Sequence, residues 1–427
     1  MTLVLMIILV CSPVAFSQST PQAFTGANII PISGEPINNG VFIVQNGQIV
    51  TVGDADTDIP NNAEVHDVSG KVIMPGLVDT HSHVGEGDGG DYSSSLHPDV
   101  RIMDTIDPRS KEFRKVVSGG ITSVNIMPGS GLLMSGQTVY LKPKPADTIE
   151  EMLIVNDETG IYGGLKMANG TNPLRENGSP GTRAKSAAMV RELFIKAQEY
   201  QQKIEDADGD PDEMPARDLQ METLVEVLEG KRMVHNHTHR HDDILTAIRL
   251  AEEFGYRLVL QHVSEAHRVA DEIAESGAHA SIINVDAPGG KLEAINLVNI
   301  NGKALEDAGV NVGFHTDDPI VDSRFLLRSA AFGVRNGMSR EAALEGLTIV
   351  GARMMDIEGR VGSLEEGKDA DFIVLSGDPL SVYTHVEQTW IEGEKVYDRS
   401  NPEDRDYATG GYEIFRTTNM HIHGEGR

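Results

Sequence analysis

Met74-Pro75-Gly76-Leu77-Val78-Asp79-Thr80-His81-Ser82-His83 is the stretch on which the fold turns. Leu77 to Asp79 reads as the end of a buried strand entered through a Pro-Gly break. In a strand, residues i and i+2 point to one face, so His81 and His83 share a side. Two imidazoles on one face can grip one metal ion. In parallel barrels the carboxyl end of a strand is where the chemistry sits. A bare His-x-His is a weak signal, whereas one preceded by a buried strand and Pro-Gly is much stronger.

Downstream the same rhythm of strand, loop and helix continues. Thr122 to Met127, Gly164 to Ala168, Tyr256 to Gln261 and Val310 to Phe314 read as short buried strands. Between them lie amphipathic helices. Over Asp242 to Phe254, Ile244, Leu245, Ile248 and Ala251 fall on one helical face. Asp242 and Asp243 suit that helix's positive end. Glu265 to Glu275 repeats the pattern. Alternating strands and helices over residues 75–365 imply an α/β fold with a parallel sheet, and the length fits a closed (β/α)8 TIM barrel. An open doubly wound sheet is the competitor, but no GxGxxG fingerprint follows a strand.

Upstream, residues 18–74 read as short β-branched strands with Asn39-Gly40 and Asn46-Gly47 as hairpin turns. The pattern returns over 366–400, where Phe372 to Leu375, Gln388 to Ile391 and Lys395-Val396 read as strands. The two chain ends are therefore expected to build one small β-sandwich domain, with the barrel inserted between its halves. Residues 401–427 read as an extended or mobile tail, and His421-x-His423 inside it as tail rather than site. Asp206 to Pro215 reads as an acidic loop.

Residues 1–17 read as a secretory signal peptide. Leu3 to Val10 is almost wholly apolar, and Ala15 and Ser17 stand at −3 and −1 of a cut before Gln18. No basic residue precedes the apolar run, a departure from the usual pattern. The expected location is exported, periplasmic or secreted, without stable membrane association after cleavage. Cys11 is the single cysteine, which excludes an internal disulfide framework and any multi-thiolate metal site. The net charge of −29 argues against a nucleic-acid surface and against docking on anionic lipid. The expected partner is a small-molecule substrate; a homo-oligomer stays open.

The remaining chemistry-bearing residues cluster behind the other strands. His235-Asn236-His237-Thr238-His239, with His241 following, precedes the helix at Asp242. So many imidazoles cost core packing, so at least one is expected to bind metal and the others to support it. His262 directly follows a buried strand, and Asp317 follows Val310 to Phe314. Four strand ends thus offer N or O donors suited to zinc. Lys166 lies inside a short strand, where a buried ammonium is costly. It either pairs a carboxylate or substrate, or becomes a carbamate that can bridge two cations. Arg101, Arg109 and Arg183 could clamp a substrate carboxylate, although surface pairing is the favoured reading. No GxSxG elbow and no Walker A loop is present.

These residues resemble the amidohydrolase superfamily. Pro75-Gly76-x-x-Asp79-x-His81-x-His83 is similar to its first-strand signature. Gly362-x-Leu364-x-x-Gly367-x-x-Ala370-Asp371-Phe372-Ile373-Val374 is similar to its re-entry into a β-sandwich. Gly164 to Pro173 and His239-Arg240-x-Asp242-Asp243-Ile244 resemble its imidazolonepropionase-related group. The resemblance implies divalent-metal ligands at His81, His83, His237, His262 and Asp317, with His235 the alternate to His237 and His239 in a supporting place. It implies Asp317 as general base and Lys166 as the bridging position, for one or two ions, zinc first. The implied reaction is hydrolysis of a C–N bond in an amide, cyclic amide or small peptide, with a dipeptidase-like substrate as the working choice. A mononuclear deaminase of a small heterocycle and a non-catalytic periplasmic metal- or ligand-binding protein are the alternatives. Ammonia release would mark the first. Bound metal without turnover would mark the second.

Overall fold

The computed structural model describes residues 19–85, 87, 89–284, 291–411 and 414. The expected leader and His421-x-His423 lie outside them. The chain opens with β1 (Gln22–Ile29), β2 (Ile37–Gln45), β3 (Gln48–Gly53), β4 (Glu64–Asp67) and β5 (Val72–Pro75). Next come β6 (Leu77–Ser82), β7 (Ile121–Ile126), β8 (Met134–Gln137), β9 (Val139–Leu141) and β10 (Leu165–Ala168). They are followed by β11 (Val234–Thr238), β12 (Leu258–His262), β13 (His279–Ile282) and β14 (Val312–Phe314). The last strands are β15 (Phe372–Leu375), β16 (Val386–Ile391) and β17 (Glu394–Asp398).

Strands from the two chain ends pair in one sheet, ordered β17-β16-β15-β5-β1-β2-β3 with β4 beside β1. The sheet forks at β1, whose Gln22–Thr25 half pairs with β4 and whose Asn28–Ile29 end pairs with β5. The fork lets distant strands fold over one another. Phe24 of β1 reaches the rings of Phe372 at 5.0 Å and Trp390 at 5.1 Å, although neither β15 nor β16 adjoins β1. Such edge contacts add to the burial of large rings. Asn46-Gly47 makes the β2–β3 turn, with both residues at positive φ (53° and 78°), as a tight hairpin requires. Asn39-Gly40 is not a turn; it lies within β2. A Cβ on Gly40 would meet Ile29 Cδ1 at 2.6 Å, so this glycine serves packing.

A second sheet runs β14-β13-β12-β11-β10-β8, parallel from β10 to β14 and antiparallel at β8. A third joins β6, β7 and β9. The two meet on both sides. At one, Asp317 N donates to His81 O (2.8 Å) and Thr316 N to Asp79 Oδ1 (3.0 Å). At the other, Thr138 N donates to Gly164 O (2.9 Å) and Tyr140 N to Tyr162 O (2.8 Å). The result is a TIM-barrel-type fold with mixed sheets. Helices such as Arg183–Asp206 and His241–Phe254 cover the strands and share one apolar core with them. The His241–Phe254 helix carries Asp242 and Asp243 in its first turn and stops at Gly255, whose φ is 75°.

Two helical expectations are corrected. Glu265 to Glu275 is not one helix. It is a 3-10 turn, Ala266–Arg268, followed by the helix Ala270–Ser276, because Val269 leaves helical geometry. Residues 401 onward do not begin as an extended tail. Asn401 caps a helix, Pro402–Thr409. That helix docks on Lys111–Ser118, with Arg114 bonded to Asp404 (2.8 Å) and lying 4.2 Å over the Tyr407 ring. Its composition is polar, so the docking rests on a few long side chains that hydrophobic periodicity does not reveal.

Candidate metal centre

β6 delivers His81 as its penultimate residue, and His83 follows directly. His83 Nδ1 donates to Met127 O (2.7 Å), which fixes the ring with Nε2 facing Asp317. His83 Nε2 lies 3.0 Å from Asp317 Oδ1 and 3.3 Å from His81 Nε2, and His81 Nε2 lies 3.3 Å from the same Oδ1. Three potential ligand atoms thus converge, two imidazole nitrogens and a carboxylate oxygen, a set that suits a divalent cation. Asp317 holds its place with φ at 50°, and His262 and Val263 stand at 73° and 39°. Non-glycine residues kept there cost about 1–3 kcal/mol each and cluster at functional sites.

His262, the last residue of β12, stands beside this trio with its ring 4.9 Å from that of His81. Its Nδ1 bonds His315 Nε2 (2.9 Å), and His315 Nδ1 bonds Ser281 Oγ (2.7 Å). His262 Nε2 is buried without a partner. His237 on β11 lies 4.5 Å from the His262 ring, and His239 lies 5.0 Å from it. Among the described residues three sets could hold an ion: His81/His83/Asp317, His81/His262/His315 and His237/His239/His262, each with donor atoms within 4.8 Å of one another. The orphaned Nε2 of His262, the buried Nδ1 of His237 and the mixed imidazole–carboxylate donors fit a divalent cation.

Lys166 is fully buried on β10. Its Nζ touches His81 Nε2 (3.2 Å) and Met127 Sδ (3.0 Å), with no ion pair among the described residues. His235 is not brought to the cluster. It lies deeper along β11, with Nδ1 on Gln261 Nε2 (3.1 Å) and Nε2 near Tyr140 OH (3.2 Å) and Asn125 Nδ2 (3.3 Å). Arg101 and Arg109 form exposed pairs with Asp104 and Asp147, and Arg183 clasps Asp243. Sequence reasoning passed over His315 and Glu293. His315 had a readable signal, since it stands at i−2 to Asp317 and so shares its face. Glu293 lies beyond any strand pattern and had none.

Burial pushes the imidazoles down. His237 falls to about 4, His235 and His315 to about 3, and His81, His239 and His262 drop well below their ordinary value. All are neutral near pH 7, the form that binds metal. Burial opposes the charge on Asp317, but the His83 hydrogen bond and nearby positive charge outweigh it and keep the carboxyl below the usual carboxylate range. Burial also lowers Lys166 to about 7, against the pull of Asp317.

Comparison with known proteins agrees with this geometry. An amidohydrolase family model matches residues 168–397. The solved structure of an amidohydrolase from Thermotoga maritima MSB8 is 35% identical, with a TM-score of 0.82 over 88% of this chain and 100% of that one. Amidohydrolase tasK of Hapsidospora irregularis is 28% identical over 393 residues, which are 84% of this chain; the chain spans 40% of tasK's length. The imidazolonepropionase of Fusobacterium nucleatum is 23% identical over 84% of this chain and 92% of its own. Family members use divalent metals and act on small molecules. The chain belongs to the amidohydrolase family, hydrolases of carbon–nitrogen bonds.

Proposed function

We propose that this chain is an exported amidohydrolase that opens an amide, cyclic amide or small peptide. The convergence of His81 Nε2, His83 Nε2 and Asp317 Oδ1 carries the reading. His81, His83, His237, His262 and Asp317 would hold one or two divalent ions, zinc first. When bound, such an ion supplies Lewis acidity that lowers the pKa of a water from about 15.7 towards ~7. Asp317, anionic at neutral pH, takes the proton of the attacking water and returns it to the leaving nitrogen as base and then acid. His83 keeps Asp317 oriented, and Met127 O holds the His83 ring in place through Nδ1.

Lys166 has two proposed states. As an amine it is a buried base beside His81. With CO₂ its nitrogen forms a carbamate, releasing one proton and placing an anion where two ions could share it. Elemental analysis of the purified protein separates these, since near two ions per chain favours the carbamate and near one favours the amine. The proposed organisation is a (β/α)8 barrel over 75–365 set into a β-sandwich unit of 18–74 and 366–400. Cleavage before Gln18 is checked by N-terminal sequencing of the secreted protein.

Asp317→Asn is the deciding variant. It should fold and keep most of its metal while kcat on a panel of dipeptides and N-acyl amino acids falls by about 10²–10⁴. Turnover at the wild-type rate would remove Asp317 from the proton transfer. Ammonia release from heterocycles, with no cleavage of the panel, would replace the hydrolysis reading by deamination.

A further inference from the structure

We propose that Glu293, together with Asn172, is a positioning residue that locks His237 with Nε2 protonated and Nδ1 bare toward the metal cluster. The inference rests on His237 being a ligand. Glu293 is 3% exposed and sits 3.4 Å, through Oε1, from His237 Nε2. Asn172, with its amide oriented to satisfy both ends, accepts from His237 Nε2 through its oxygen (3.1 Å) and donates to Glu293 Oε1 (3.0 Å). Two acceptors therefore face Nε2, so that nitrogen carries the proton. Nδ1 is buried with no partner. A neutral imidazole has one donor and one acceptor, so fixing the first fixes the second.

The surroundings are built for Glu293. Its second oxygen accepts from Thr171 N (2.7 Å) and Thr171 Oγ1 (2.6 Å). Gly170 stands at φ +76°, and a Cβ there would lie 2.6 Å from Glu293 Oε2. The segment carrying Glu293 buries little apolar surface, since only the small Ala294 is buried beside it while Leu292 is 86% exposed and Ile295 is 67% exposed. Turning a carboxylate inward while leaving large apolar side chains in water is unfavourable for packing alone. A carboxylate behind a ligating histidine sets its tautomer, orients its ring and raises its basicity, and loss of such a partner typically weakens metal binding about 10–100-fold.

The test reads metal affinity and tautomer, not turnover. Metal-free full-length protein is titrated with Zn²⁺ against a competing chelator, for wild type, Glu293→Ala and His237→Ala. Glu293→Ala should weaken Zn²⁺ binding about 10–100-fold. Affinity within twofold of wild type overturns the inference if His237→Ala lowers it. If His237→Ala also leaves Zn²⁺ binding intact, the ligand assignment beneath it fails instead. Nitrogen-15 histidine spectra of the metal-free wild type, with His237 identified by its loss in the Ala variant, need no Glu293 substitution. They should show protonated Nε2 and bare Nδ1. The opposite tautomer overturns the proposal even if Glu293→Ala does not fold.

Discussion

His81, His237 and His262 are neutral because burial makes a charged imidazole costly, and neutrality is the form that could give a lone pair to a cation. Glu265 shows the opposite balance a few residues beyond His262. Burial would raise its pKa, but bonds from His241 Nδ1 (2.6 Å), Asn296 and His241 N (3.1 Å) outweigh it and bring it down to about 2. A carboxyl depressed in the folded state stabilises the fold above its unfolded value near 4.5. That stabilisation is lost as pH falls from about 4.5 through about 2, because the unfolded chain takes up the proton first. Urea midpoints measured across this range should fall more steeply for wild type than for Glu265→Gln. Parallel curves would show that the His241–Glu265 contact does not favour the charged carboxyl.

At the level of elements, β6 and β7 depend on Gly76. A Cβ there would sit 2.0 Å from Thr122 Oγ1 and 2.2 Å from its Cγ2, so β7 would have to move. Gly76→Ala should destabilise the protein by about 1–3 kcal/mol, read from chemical denaturation, by the mechanism of overpacking. An unchanged midpoint would mean the two strands slide apart freely. This glycine belongs to the Pro75-Gly76 signal that marked the first strand, so a motif read as punctuation also has a packing reason. The strands that matter most were legible in this way. Leu165–Ala168 and Leu258–His262 are short, apolar and fully buried, and each ends or carries an anomalous polar residue. Where elements were misread, the local signal was ambiguous. Asn39-Gly40 has turn chemistry yet sits in β2, because the pairing of β1 with β2 needs a small residue there. The helix at 402–409 lacks an apolar stripe and is held by its Asn cap and by Arg114.

Across the whole molecule, one buried ion cluster ties the sheet of the two chain ends to the barrel-type part. Lys142, its side chain 1% exposed just after β9, lies 2.6 Å from Asp369, 3.0 Å from Asp371 and 3.2 Å from Glu392. Removing one partner of a buried pair strands the other's charge and costs about 3–5 kcal/mol. Lys142→Met should therefore lower stability by that amount, and adding Asp371→Asn should restore part of it. Additive losses in the double variant would show that the two do not interact.

The residue order by itself determined that an α/β chain carries imidazoles and a carboxylate at the ends of buried strands, because strand periodicity and burial are local and write themselves into a few adjacent letters. It pointed to His81, His83, His262 and Asp317 as neighbours on that ground. Tertiary structure alone decided which of the β11 histidines reaches the cluster. His235 and His237 share one face of the strand, and only their depth along it sends the first to Tyr140 and Gln261 and the second to His262. It also decided that Glu293, 56 residues beyond His237, meets that ring at Nε2, since such a contact depends on where a distant loop returns and leaves no period in the sequence.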